Sequence, residues 1–179
     1  MRLALLAVVL GLALVSAGCG GGGDESSGTP TDEWAEGYCA AIVDWTTERR
    51  RATDKLRDYR SLSQDAFAQA GAELRSATEA FTADLRELGA PDADFGEDAR
   101  QAVDLFATAT EADLADIERS VEGISGPSDI STAIVSIAAA LTSINKSFTT
   151  MANSLSRIDP ERELQTAFEN AESCDELGI

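Results

Sequence analysis

The chain has 179 residues, with 14 basic against 32 acidic side chains, three cysteines, no histidine and a net charge of −18. So acidic a chain is repelled by nucleic acid and by anionic headgroups, and its partners are expected to be basic, neutral or apolar. Without histidine it lacks the commonest general base and metal ligand, and also the Glu-x-x-His pairs of di-iron helical bundles.

Met1-Arg2 supplies one positive charge. Leu3 to Val15 is an apolar run broken only by Gly11, and Ser16-Ala17-Gly18 are small. A basic start, a short apolar core and small residues before a cut are the parts of a secretory signal peptide over residues 1–18. The run is shorter than the ~20 apolar residues a membrane span needs.

Two readings follow for Cys19. Cleavage after Ala17 would leave it near a loose end. Read instead as a lipobox, Ser16-Ala17-Gly18-Cys19 resembles the processing site of bacterial lipoproteins, with Ser16 standing where Leu is usual. The resemblance implies a diacylglyceryl thioether on Cys19, cleavage before it, and a lipid anchor on the extracytoplasmic face of the cell membrane. Two acyl chains anchor firmly where one does not. Residues 19–30 are then a Gly-, Ser- and acid-rich tether with nothing apolar to bury, expected to be flexible. Residues 31–179 have the length of one domain.

From Thr31 onward the apolar period is helical. Trp34, Tyr38, Ile42, Trp45, Ala52 and Leu56 step by three, four or seven, as do Phe67, Gly71, Leu74, Phe81 and Leu85. A third set runs through Ala99, Ala102, Phe106, Thr110, Leu114 and Ile117, and a fourth through Ile130, Ile137, Ile144, Phe148, Met151, Leu155 and Ile158. A short last set comprises Leu164, Phe168, Ala171 and Cys174. The breaks carry turn chemistry: Ser63 as an N-cap, Gly89 before Pro91, Gly126-Pro127, and Asp159 ahead of Pro160 at a first helical position. Short connections force antiparallel neighbours. The expected fold is all-α, an antiparallel up-down four-helix bundle with a short C-terminal fifth helix.

Cys39 and Cys174 lie near the two ends of the folded region. Outside the cytoplasm a bridge between them is favoured over two buried thiols, and the fifth helix can fold back to make it. Residues 130–145, "ISTAIVSIAAALTSIN", carry no charge. They read as a well-buried bundle helix rather than a membrane span.

Few motifs suggest chemistry. Asp92, Asp94, Glu97 and Asp98 surround Gly96 with a spacing that misses the calcium-loop pattern, and read as a solvated turn favouring the positive end of the next helix. No metal site, cofactor or catalytic residue is expected, and the protein reads as a non-enzyme. "ERRRATDKLRDYR" (48–60) holds Arg49, Arg50, Arg51, Lys55, Arg57 and Arg60. This is a candidate docking patch for an envelope protein or polymer; the plainer reading is a solvated helix end whose cations suit the dipole. Arg49 falls on the apolar stripe, where it would snorkel or pair internally. Trp34, Tyr38 and Trp45 frame a candidate apolar pocket, or else are core.

Beyond the lipobox, "DEWAEGYCAAIVDW" (32–45) and "AFENAESCDEL" (167–177) resemble the opening and closing segments of small lipoproteins from high-GC Gram-positive bacteria. That resemblance implies a surface-anchored helical protein and supplies no catalytic residue. Two functions are therefore expected to compete. The one expected first is an interaction or structural module of the cell envelope, with a dry, filled core, which the abundant alanine favours. The other is a carrier or sensor of a small apolar ligand, with a cavity near Trp34, Tyr38 and Trp45.

Overall fold

The structure, a computed structural model, describes residues 28–57, 63–159 and 161–177. The expected signal segment, Cys19, most of the expected tether, Arg60 and Pro160 lie outside the described residues. Four long helices follow in chain order: α1 (Thr31–Leu56), α2 (Gln64–Glu87), α3 (Gly96–Glu122) and α4 (Pro127–Ile158). Two short ones end the chain, α5 (Glu163–Asn170) and α6 (Glu172–Asp175). The architecture is an all-α antiparallel bundle, as the periodicity requires.

The helix ends follow from local chemistry. The Ser63 hydroxyl accepts from the Ala66 N–H at 3.2 Å and starts α2. Gly89 follows α2 with φ of 67°, a left-handed turn that glycine takes without steric cost. Gly126 caps α4 with proline at its first position, and the Asp129 carboxylate reaches back to the N–H groups of Ser125 and Gly126 at 2.9 Å each.

The last of the expected tether is already held. Thr29 donates its N–H to Ala90 O at 2.9 Å, accepts from the Asp92 N–H at 2.7 Å, and donates its hydroxyl to Leu88 O at 2.7 Å. The chain thus enters the bundle against the α2–α3 loop, beside the N-terminus of α1 and the C-terminus of α4. This end is the entry pole.

A layer of aromatic rings at mid-height takes one residue from each long helix. Trp45 stacks on Phe81 at 4.7 Å, and Phe106 meets Phe81 and Phe148 edge-on at 5.6 and 6.0 Å. Such pairs stabilise by about 0.5–1.5 kcal/mol each beyond their buried area. The Trp45 indole N–H donates to the buried Thr78 hydroxyl at 3.2 Å, which in turn donates to Leu74 O. The α2–α3 seam carries ion pairs outside this core, Arg75–Glu118 and Arg86–Glu111.

Three features depart from the sequence reading. The fifth helix is two helices, broken at Ala171, whose ψ of 126° is extended. The break turns the Ser173 N–H and hydroxyl onto the Glu36 carboxylate. Next, α5 does not begin at residue 160. It begins after Arg162, which is left-handed at φ 62°, and Asp159 reaches forward to accept from the Glu163 N–H at 2.8 Å and the Gln165 N–H at 3.0 Å. Finally, α4 is not well buried. Ser128–Ile158 is long and apolar enough to cross a membrane by length and composition, yet only 28% of its most apolar window is buried. Ile130, Ala133, Ile137, Ala140 and Ile144 face the core, while Val135 on the outer face is 69% exposed. Alanine, serine and threonine suit either environment, so the missing charge did not report burial.

Candidate functional site

In a regular four-helix bundle the first and last helices close the ring. Here α4 packs along α3, and α1 and α4 stay apart. Side chains span the seam instead. At mid-height the Trp45 and Phe148 rings lie 6.3 Å apart. Further from the entry pole Arg49 lies over the Trp45 ring, 4.6 Å from its centroid, and donates to Asn145 Oδ1 at 3.0 Å. Burial, reinforced by the charge of Arg50, lowers the Arg49 pKa.

Toward the entry pole α5 lies on α1 and roofs the seam. α5 and the adjoining α6 are pinned there together. Phe168 packs against Trp34 and Tyr38, with centroids 6.3 and 5.3 Å away. Glu36 holds Ser173. The disulfide joins Cys39 on α1 to Cys174 on α6, with the Cα atoms 5.1 Å apart. Both cysteines are fully buried.

Between α1, α4 and α5 lies a groove of about 480 Å³. Tyr38 and Ile42 line it from α1; Phe148, Ala152, Leu155 and Ser156 from α4; Leu164, Gln165 and Phe168 from α5; Asp159 closes one end. The volume falls in the ~300–1,000 Å³ range of small-molecule sites, and mostly apolar walls with a few polar groups are the usual composition. Tyr38 is only 4% exposed. Burial alone pushes its pKa up. The one buried side-chain polar atom without a partner among the described residues is Thr110 Oγ1 on α3, so the Tyr38 hydroxyl keeps some contact with solvent.

Of the three aromatic residues singled out in the sequence, only Tyr38 lines the groove. Trp34 stands behind it, stacked on Tyr38 at 5.3 Å, fully buried and donating its indole N–H to Gly89 O at 3.0 Å. Trp45 belongs to the mid-height layer. Phe148, Leu155 and Phe168 lie on the apolar stripes but carry no mark that separates lining from core. Ala152, Ser156 and Gln165 carry no signal in the sequence.

The basic patch is largely paired. Arg51 pairs with Glu48, Arg57 with Asp54 at 3.0 Å, and Lys55 crosses to Glu73 of α2 at 2.5 Å. Arg49 is drawn over Trp45, leaving Arg50 exposed without an ion pair among the described residues. At the opposite pole Glu97 and Asp98 lie in the first turn of α3, and Arg100 holds the Glu97 carboxyl below the usual range. Among the described residues no cluster has the makings of a metal site.

Comparison with family models, curated proteins and solved structures gives no match for this chain.

Proposed function

We propose that the chain is a bacterial lipoprotein, anchored through Cys19 to the extracytoplasmic face of the cell membrane, that carries or senses a small apolar ligand in the α1–α4–α5 groove. The observation that carries this reading is the groove itself, apolar on three sides with Tyr38 among its lining residues. The anchor rests on the lipobox and on the chain entering the bundle at the same pole as the groove. A ligand leaving the bilayer would meet the groove within reach of the tether.

The test is thermal unfolding with a neutral apolar probe, 1-decanol, on the native chain and on Ala152→Phe. Ala152 is half-buried and lines the groove, so a phenyl ring there occupies the site while α4 retains its core face. A ligand at 100 times its Kd stabilises by about 2.7 kcal/mol, a midpoint rise of about 5–10 °C for a domain of this size. The native chain should show the rise and the Phe variant should not. No rise in either, or the same rise in both, removes the groove as the site.

A second reading has its own observation. The outer face of α4 presents Ser131, Thr132, Val135, Ala138 and Thr142, with no charge, on an otherwise strongly acidic protein. An envelope interaction module would dock there, and a photoreactive residue at position 135 in intact cells would capture its partner.

A further inference from the structure

Resting on the ligand-binding reading above, we infer that the groove selects an amphiphile with a positively charged headgroup. The Asp159 carboxylate lies at the end of the apolar groove and also lines a second cleft, of about 630 Å³, at the entry pole. The other carboxylates of that cleft are Asp92, Asp94, Asp98, Glu161 and Glu163. They come from the α2–α3 loop, the first turn of α3 and the approach to α5. The groove that begins at Phe148 therefore shares Asp159 in its wall with an acidic vestibule.

Among the described residues no Lys or Arg lines either space. Cations adjoining these segments in the chain are engaged: Arg100 with Glu97 and Asp104, Arg162 with Gln165 and Glu169, and Arg157 with Asn153 O. Asp159 is itself 8% exposed, with its two oxygens already accepting from α5 N–H groups. An anionic headgroup would be brought against several carboxylates, Asp94, Asp98 and Glu161 among them. A cationic headgroup meets them while its tail takes the apolar walls. Like-charge rejection and opposite-charge attraction then act together on one choice.

The test uses the full chain in phosphatidylcholine vesicles with three dodecyl probes. Each carries a photoreactive group at the tail end, and the headgroups are ammonium, hydroxyl and sulfate. The readout is the share of the label found in the peptides bearing Phe148 and Phe168. The ammonium probe should label them about tenfold more than the sulfate probe, since several exposed carboxylates each contribute modestly. That preference should shrink in raised salt. The triple variant Asp94→Asn, Asp98→Asn, Glu161→Gln should bring ammonium labelling down to the level of the hydroxyl probe. Asp159 is left intact in it because it caps α5. Equal labelling by ammonium and sulfate probes, or a preference unchanged in the triple variant, overturns the headgroup inference and leaves the groove reading standing. Absence of label from these peptides with every probe overturns the groove reading itself.

Discussion

Replacing both Cys39 and Cys174 by alanine tests how the groove's roof is held. The bridge closes a loop of sequence separation 135. In the chain-entropy picture, opening such a loop in the unfolded state costs the native state about 5 kcal/mol. That is a large part of the ~5–15 kcal/mol stability of a typical domain. At about 2–4 °C per kcal/mol for this length, the melting point should fall by about 10–20 °C. Guanidinium unfolding followed by far-UV circular dichroism measures the loss. The slope m should rise in the variant, because an uncrosslinked denatured chain exposes more surface. The loss should also have a location. Of the long helices only α1 packs to any extent against α5 and α6, so without the bridge they are held by Phe168, Leu164, Ala167 and the Glu36–Ser173 bonds. Hydrogen exchange should show α5 amides opening at a lower free energy than those of α2 and α3, which stay protected up to the global limit. A loss below about 2 kcal/mol with uniform protection would refute both the loop-closure argument and the assignment of the bridge as the clamp of the roof.

Gly96→Ala should cost about 2–3 kcal/mol in denaturant unfolding, because its Cβ would lie 2.1 Å from the Pro91 carbonyl oxygen and only backbone can yield there. Gly37→Ala should be close to neutral, since it meets only the movable tip of Leu88 and gains up to about 1 kcal/mol of helix propensity. Arg49→Ala should lose about 1–2 kcal/mol through the Trp45 and Asn145 contacts, and Arg49→Lys should recover little of it, because an ammonium cannot stack on the indole. The Ser173 hydroxyl and N–H hold the Glu36 carboxyl below its ordinary pKa of 4.5. Its contribution is therefore full above that value and is lost as the pH falls through the lower folded-state pKa. Glu36→Gln should show a shallower loss of stability than the native chain below pH 4.5, in urea melts at stepped pH; an unchanged acid limb would refute that role.

The long helices and their turns were legible in the sequence because the chemistry that ends them is local. Ser63, Gly89 and Gly126-Pro127 act within one turn of their own positions. Where the deciding partner is distant, the pattern misled. Nothing at Ala171 announces a break; the reason is Glu36, on another helix, which takes the Ser173 donors. Asp159 ahead of Pro160 looked like an ordinary cap, yet its oxygens serve N–H groups four and six residues on. The uncharged run of α4 looked buried because charge, not size, was the signal, and small neutral residues tolerate water. The aromatic residues of α1 were visible as a stripe, but which of them meets a void depends on how far α4 leans toward α3. That lean is a tertiary property, so Tyr38 and Trp45 look alike in the sequence and differ in the fold.

The most direct test is native mass spectrometry of the chain extracted from membranes of the cells that make it, beside Ala152→Phe handled in the same way. The account predicts a retained apolar adduct, beyond the mass of the anchor, on the native chain and none on the variant. Native chain and variant free of adduct, or carrying it equally, would contradict a ligand held between α1, α4 and α5.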